Sequence, residues 1–303
     1  MKRILSRALQ IAIAVVILGF LIAQVVKNWR QVSGYDWQAS PGWVAVSFVL
    51  LLLTLALDAA IWMWALRMFQ ATLGFRAAAR VWFPALVARY IPGKVASLAL
   101  RIWLSEREGI SPYRAAGAAL FEMVLRVMGA VIVFGASLPF WPSIDDMNRL
   151  AALVIIVPAG LIALHPRLLQ WALNLASRIR KRPAVVVPFR FHDVLLLLAL
   201  LCGRWVLFGL SFARFAAAIA PGFWAHVPAI IGMCSISWAA GFVSVLAPAG
   251  LGVYEGVLTL GLRQYVLAPV AIVAVLLGRL WAVAGEVTWL AALPLLRGGG
   301  RQR

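Results

Sequence analysis

Long apolar runs separated by short basic segments dominate the pattern of this 303-residue chain. Residues 8–26 and 37–57 carry no charged side chain, and neither do the 40 residues from 215 to 254. A helix needs about 20 predominantly apolar residues to cross the hydrocarbon core of a bilayer. The pattern therefore predicts several transmembrane helices.

Two stretches of the chain do not have the pattern of a simple span. Residues 73–112 hold six basic residues and are interrupted at Pro92-Gly93, which predicts two short helices in a re-entrant hairpin. A second break, Pro248-Ala249-Gly250-Leu251-Gly252, precedes a short helix at about 253–266. Irregular backbone at membrane depth is tolerated only where it is buried in protein or lines a wet cavity. The remaining spans are predicted at about residues 8–26, 42–66, 114–140, 150–164, 193–220, 225–246 and 268–295.

The predicted fold is therefore an all-α polytopic membrane protein with about eight membrane segments, two of them broken or re-entrant at Pro/Gly motifs. We expect a single transmembrane domain over residues 1–303, with pseudo-halves of about 1–141 and 142–296. Paired broken segments in two halves are typical of transporters built from repeats, including inverted repeats, with a binding site near the midplane. Pro and Gly are also common in membrane helices generally, so the pattern alone leaves both interpretations open.

The composition agrees with a membrane protein, since 64% of the residues are hydrophobic and 13% are charged. The net charge of +18 comes from basic residues clustered between the apolar runs, as the positive-inside rule describes. We therefore expect a multi-pass protein of the bacterial cytoplasmic membrane, with the N-terminus and the basic loop at 165–192 in the cytoplasm. A cytoplasmic C-terminus would require the second break region to cross completely. Without an aromatic and basic recognition motif, nucleic-acid binding is not expected.

Ionisable residues inside predicted spans need an explanation, because a charge at the bilayer centre costs about 2.5–3.5 kcal/mol on insertion scales. Glu122 and Arg126 are four residues apart and share a helix face, either as a packing ion pair or as part of a polar cavity wall. Arg279 and Glu286 share a face but lie too far apart to touch. Each of these two therefore needs a partner on another helix, or water.

Charged residues also surround the two breaks. Arg89, Lys94 and Arg101 flank the first break, where they either extend to the lipid head groups or hold a phosphate group, which suits the fork geometry of arginine. Glu255 follows the glycines of the second break. It either caps the short helix that begins there or takes part in transport.

Motifs for cofactor, metal or hydrolytic chemistry are missing from the sequence. It contains no Gly-x-x-x-x-Gly-Lys-Ser/Thr loop, no His-Glu-x-x-His and no Gly-x-Ser-x-Gly. We expect no cofactor, no metal and no enzymatic activity. One alternative is a membrane-embedded enzyme acting on lipid-linked substrates, for which Glu106 and Glu108 are the candidate acid and base. The other is a non-catalytic partner of a lipid-modifying enzyme.

Two motifs resemble the signatures of a known bacterial and archaeal family. Arg89-Tyr90-Ile91-Pro92-Gly93-Lys94, followed by Arg101, Gly109-Ile110-Ser111 and Glu122, is similar to the first signature of the lysylphosphatidylglycerol synthase transmembrane region, also called flippase-like proteins. Pro248-Ala249-Gly250-Leu251-Gly252-Val253-Tyr254-Glu255-Gly256 resembles its second signature, Pro-x-Gly-x-Gly-x-x-Glu. The resemblance extends over nearly the whole chain.

The resemblance implies a lipid flippase or transporter that moves a phospholipid or polyprenyl-linked lipid, with a lipid-synthesis enzyme as a candidate partner. Multidomain relatives pair this region with a soluble domain that attaches an amino acid to the lipid. These 303 residues contain no such domain, so we do not expect synthesis of the lysyl lipid. The residues expected to bind the head group are Arg89, Lys94, Arg101 and Arg126. Those expected to line or gate the path are Glu122, Glu255, Arg279 and Glu286, with Pro92, Gly93, Pro248, Gly250 and Gly252 shaping the breaks.

Overall fold

The structure is a computed structural model that describes residues 37–38, 40–90, 95–141, 190–243, 250 and 252–297, together with residues 26, 29 and 33. Within these ranges the chain is helical and contains no strand. The spans predicted at 8–26 and 150–164 lie outside the described residues, and so do Pro92, Gly93, Lys94 and Pro248.

The described residues form eight α-helices. They are α1 Pro41–Met68, α2 Phe75–Val87, α3 Val95–Arg107, α4 Pro112–Ser137, α5 Phe191–Ile219, α6 Val227–Val243, α7 Val253–Leu262 and α8 Ala268–Ala292. Short 3-10 turns extend α2, α4 and α8 at their C-terminal ends and precede α6. Pro41 and Pro112 begin α1 and α4, where the backbone N–H that proline lacks would have no helical partner.

Five helices are long and apolar enough to cross a membrane: α1, α4, α5, α6 with its preceding turn, and α8. At 1.5 Å per residue, the 28 residues of α1 extend about 42 Å, which exceeds the roughly 30 Å hydrocarbon core. The prediction of an all-α polytopic membrane protein is confirmed. The predicted count of about eight membrane segments is only roughly supported.

The long helices give the molecule two ends, which we name the Ser40 end and the Met68 end after the limits of α1. Helix α5 runs antiparallel to α1, because the Ser40 N–H donates to the Ala218 carbonyl oxygen at 3.0 Å. Helix α4 starts at the Met68 end, where Arg114 donates to the Gln70 carbonyl oxygen at 2.7 Å. It therefore runs in the same direction as α5.

Helices α2 and α3 form the predicted re-entrant hairpin, which enters and leaves at the Met68 end. The Ser97 hydroxyl donates to the Ala85 carbonyl oxygen at 2.6 Å, so the two short helices lie side by side. Arg80, near the start of α2, donates to both carboxylate oxygens of Glu108, just beyond α3, each at 3.1 Å. This prediction is confirmed for the helices on both sides of the turn.

Helices α6 and α7 form a second hairpin, in which α7 turns back along α6. At the break the backbones nearly touch, since a Cβ added to Gly250 would lie 2.8 Å from the Gly241 Cα. Further along, Gly261 of α7 lies against Met233 of α6. Gly250 has a φ of +68°, in the left-handed region that glycine adopts without steric cost.

The second hairpin opens at the Ser40 end. After α7, the Tyr265 hydroxyl donates to the carbonyl oxygen of Phe140, at the end of α4, at 3.3 Å. The Tyr265 ring also lies 4.4 Å from that of His226, which directly precedes α6. Both limits of the hairpin are therefore at the same end, so α6 and α7 together do not carry the chain to the other end.

The sequence predicted that a cytoplasmic C-terminus requires the second break region to cross the membrane completely, and this geometry removes that requirement. Helix α8 begins at the Ser40 end and finishes at the Met68 end, where Arg80 donates to the Leu296 carbonyl oxygen at 3.4 Å. A hairpin that enters and leaves at one end does not change the side of the next helix, so complete crossing is not needed. The order helix, hairpin, helix occurs twice with opposite directions, in α1–α4 and in α5–α8. The boundary between pseudo-halves at 141/142 stays a prediction.

Candidate functional site

Buried charged residues occupy the middle of the long helices. Asp58, Arg126, Arg204 and Arg279 each lie at least ten residues from either end of their helix. All four side chains are buried. Because ten helical residues extend about 15 Å, these charges lie well inside helices that are long enough to cross the roughly 30 Å bilayer core.

Five of the buried residues form one connected group, which we name the central cluster: Asp58, Arg101, Glu122, Arg126 and Arg204. Glu122 accepts hydrogen bonds from Arg101 at 2.7 Å and from Arg126 at 2.6 Å. Asp58 accepts from Arg126 at 2.6 Å and from Arg204 at 3.1 and 3.3 Å. All four carboxylate oxygens therefore have a partner, and the pairing of Glu122 with Arg126 expected from their spacing is confirmed.

Tryptophan rings cover the faces of these guanidinium groups. Arg101 lies 3.6 Å from the ring centroid of Trp62 and 4.4 Å from that of Trp82, and Arg126 lies 5.1 Å from Trp82. Cation–π contacts of this kind are strongest where water is excluded. Arg101 belongs to α3, outside the five candidate spans. Its guanidinium group donates to Glu122 at 2.7 Å, so the buried side chain keeps a carboxylate partner.

Several donors of the central cluster have no partner among the described residues. They are Arg101 Nε, Arg126 Nη2, Arg204 Nη1 and the neighbouring Trp62 Nε1 and Trp82 Nε1. A buried donor without a partner costs about 1–3 kcal/mol. A group that supplies acceptors would satisfy these donors.

A second group, which we name the hairpin-tip cluster, contains Arg89, Tyr90, Glu255, Arg279 and Glu286. Arg89 forms an ion pair with Glu286 and donates to the Tyr90 hydroxyl oxygen at 3.1 Å. Arg279 pairs with Glu255 at 3.6 Å, too long for a hydrogen bond. Arg279 and Glu286 thus have partners outside their own helix, as the sequence predicted.

Glu255 has two contacts at the start of α7. Its Oε2 accepts a hydrogen bond from the Gly252 N–H at 2.6 Å, which caps the helix. Its Oε1 faces Arg279 and accepts no hydrogen bond among the described residues. The capping interpretation is confirmed, and the role in transport stays a prediction.

Helix α8 connects the two hairpins. Its Glu286 holds Arg89 of the first hairpin, and its Arg279 faces Glu255 of the second. Gly285, next to Glu286, lies against Leu55 of α1, which is three residues from Asp58, so the two clusters are neighbours. The hairpins therefore enter from opposite ends and meet the same charged region.

Most of the predicted site residues come together in these two clusters. The clusters contain Arg89, Arg101, Glu122, Arg126, Glu255, Arg279 and Glu286, while Gly250 and Gly252 shape the second break. Pro92, Gly93, Lys94 and Pro248 lie outside the described residues.

Two members of the central cluster, Asp58 and Arg204, lie inside predicted spans but are not among the residues predicted for the site. The cost of a charge inside a span is the signal that could have included them. Arg214, on the same helix as Arg204, lies outside both clusters. It is half-buried near the Ser40 end, 3.9 Å from the ring centroid of Trp43 and 3.6 Å from that of Trp224.

Other features of the described residues do not add to the site. No three His, Cys, Asp or Glu side chains in these ranges come together as metal ligands would. A surface pocket lined by Arg263, Tyr265 and Leu267 lies between α7 and α8 at the Ser40 end, away from both clusters. The charged clusters at mid-depth are therefore the candidate site.

Comparison with known proteins gives one family. A family model described as the lysylphosphatidylglycerol synthase TM region matches residues 7–285. The match includes both hairpins and every cluster residue except Glu286. No curated protein and no solved structure matches the chain.

Proposed function

This chain belongs to the lysylphosphatidylglycerol synthase TM family, and from that premise we propose that it is a flippase or transporter moving a phosphate-bearing lipid across the membrane. The family's members are membrane proteins involved in lipid modification or flipping, and this chain is a multi-pass membrane protein. The lipid would be a phospholipid or a polyprenyl-linked lipid.

The observation that carries the proposal is the meeting of two opposed hairpins at a charged region near mid-depth. A lipid head group that changes leaflet must pass about 30 Å of hydrocarbon. The buried charges offer the head group polar contacts in the middle of the hydrocarbon, where its free energy would otherwise be highest. Each hairpin lies between these charges and one end of the molecule. Broken segments from two oppositely directed units that meet at the midplane are typical of transporter binding sites.

The distribution of basic residues supports an orientation for this transporter. Among the described residues, the arginines at the Met68 end are Arg67, Arg76, Arg80, Arg107, Arg114, Arg190 and Arg297, while those near the Ser40 end are Arg214 and Arg263. By the positive-inside rule, we place the Met68 end in the cytoplasm of a bacterial cell. The first hairpin would then open to the cytoplasm and the second to the outside.

The contacts of Glu108 weigh against the enzyme alternative. Both of its carboxylate oxygens accept hydrogen bonds from Arg80, so Glu108 is held in an ion pair. A general acid or base needs access to the proton that it transfers. Glu106 is exposed at the surface and would lack a convergent second carboxylate.

Lipid translocation in reconstituted liposomes tests the proposal. Purified protein is incubated with head-group-labelled phospholipid and polyprenyl-phosphate probes, and the probe in each leaflet is measured by chemical quenching. We expect wild-type protein to move at least one probe, and Glu255→Gln and Arg101→Ala to abolish the movement. Arg214→Ala, outside both clusters, should retain it. Folded wild-type protein that moves no probe would refute the proposal in favour of an enzyme or a non-catalytic partner.

A further inference from the structure

The unpaired polar atoms of the central cluster, and of the two tryptophans that cover Arg101, are all hydrogen-bond donors. Three are guanidinium nitrogens, on Arg101, Arg126 and Arg204, and two are the indole nitrogens of Trp62 and Trp82. The acceptors of the same cluster are fully used, because every oxygen of its two carboxylates accepts a hydrogen bond from an arginine. Only a group with hydrogen-bond acceptors can therefore pair with the remaining N–H groups.

The hairpin-tip cluster differs in this respect. There, unpaired atoms include the acceptors Glu255 Oε1 and Glu286 Oε2 as well as nitrogens of Arg89 and Arg279. A ligand that donates hydrogen bonds, a ligand that accepts them, or water could each pair with some of those atoms. The surplus of donors is thus specific to the central cluster.

The formal charges of the central cluster also favour an anionic ligand. Its three guanidinium groups face two carboxylates, which leaves one positive charge in excess among the described residues. An uncompensated charge near the bilayer centre is costly. Water would satisfy the donors but not the charge, whereas an oxyanion would satisfy both.

The aromatic residues limit how a ligand can approach. Trp62 and Trp82 lie over Arg101, and Trp205 lies 4.2 Å from Arg204. An acceptor therefore reaches these guanidinium groups in the plane of their N–H bonds, which is the geometry that phosphate oxygens use with arginine.

We infer that the central cluster is the phosphate-binding position of the lipid and that it selects an ionised phosphodiester over a head group without negative charge. Arg101, Arg126 and Arg204 donate to the phosphate oxygens, with the indole N–H groups of Trp62 and Trp82 beside them. Asp58 and Glu122 are positioning residues, which hold the guanidinium groups and do not contact the lipid. This inference rests on the proposed function for the nature of the ligand and deepens it by assigning the binding residues.

Equilibrium binding of short-chain lipids to the detergent-solubilised full chain tests the inference. The probe is short-chain phosphatidylglycerol, and short-chain diacylglycerol with the same tails is the uncharged control, both measured by isothermal titration calorimetry. The variant is Arg204→Lys, which keeps a positive charge for Asp58 but loses the second edge of the guanidinium fork. Arg214→Lys is the matched control, because it changes an arginine of the same helix outside the cluster.

We expect wild-type protein to bind phosphatidylglycerol and to prefer it to diacylglycerol. Arg204→Lys should weaken phosphatidylglycerol binding by roughly tenfold or more, as expected for the loss of a charge-assisted hydrogen bond. Arg214→Lys should leave it unchanged. If Arg204→Lys does not fold, Trp82→Phe removes one uncharged donor from the cluster and should weaken the same binding severalfold.

Equal binding of both lipids would overturn the inference, and so would phosphatidylglycerol binding unaffected in the folded cluster variant. Absence of phosphatidylglycerol binding to folded wild-type protein would overturn it as well. The liposome assay separates this inference from the proposed function. Protein that binds phosphatidylglycerol through Arg204 but moves no lipid keeps the inference and loses the function. Protein that moves lipid equally well with Arg204→Lys keeps the function and loses the inference.

Discussion

Asp58 joins two buried arginines from different helices, so its replacement tests whether the central cluster holds the bundle together. The side chain is 1% exposed and accepts three hydrogen bonds, one from Arg126 on α4 and two from Arg204 on α5. The change Asp58→Asn nearly preserves volume but removes the negative charge. It leaves one carbonyl oxygen as an acceptor, and its amide N–H groups point toward guanidinium donors.

The expected loss of stability follows from these contacts. Removing one partner of a buried ion pair costs about 3–5 kcal/mol, because the other charge stays buried without compensation. Since the remaining oxygen of Asp58→Asn can still accept one hydrogen bond, we expect the lower end, about 3 kcal/mol. That corresponds to a change of roughly a hundredfold in the unfolding equilibrium.

Unfolding by sodium dodecyl sulfate in mixed micelles, followed by circular dichroism, measures this free energy. Glu108→Gln is the matched control, because Glu108 also accepts two hydrogen bonds from one arginine but is 27% exposed, with Arg80 at 33%. Exposed pairs contribute about 0–1 kcal/mol. If Asp58→Asn destabilises the protein no more than Glu108→Gln, the central cluster does not stabilise the packing of α1 against α4 and α5.

Two further predictions concern packing and topology. Gly209→Ala should destabilise the protein in the same unfolding assay, because the new Cβ would lie 2.5 Å from a backbone Cα of α6. Gly203→Ala, on the same helix, meets nothing within 4 Å. This control should be neutral or should stabilise the protein by up to about 1 kcal/mol. Equal effects of the two changes would contradict the close approach of α5 and α6. Gly222→Cys and Leu267→Cys, before and after the second hairpin, should react with a membrane-impermeant maleimide from one side of the membrane, and Leu295→Cys from the other. Labelling of Gly222→Cys and Leu267→Cys from opposite sides would refute the re-entrant arrangement of α6 and α7.

The first hairpin was predictable from the sequence because its signals are local. Neither side of Pro92-Gly93 is long and apolar enough to span a membrane, so two short helices were the remaining solution. The second hairpin was less clear, since residues 225–246 have the length of a complete span. Its direction depends on where Tyr265 packs, and that contact with Phe140 joins residues 125 apart in the chain.

In the candidate site, too, local sequence signals predicted some features, while contacts between distant residues were not predictable. The pair Glu122–Arg126 follows from helical periodicity, which places residues four apart on one face. The cost of a buried charge also indicated that Arg279 and Glu286 need partners on other helices. Periodicity does not relate residues on different helices, so neither partner could be named.

The amino-acid pattern is enough to identify a helical membrane protein and to locate its apolar helices and breaks, because the bilayer imposes a length and polarity on each segment independently. Which buried charges meet depends on how the helices pack. Asp58 and Arg204 lie 146 residues apart, and their hydrogen bonds depend on the antiparallel packing of α1 against α5. The donor surplus of the central cluster arises from such contacts between helices, which no single segment of the chain specifies.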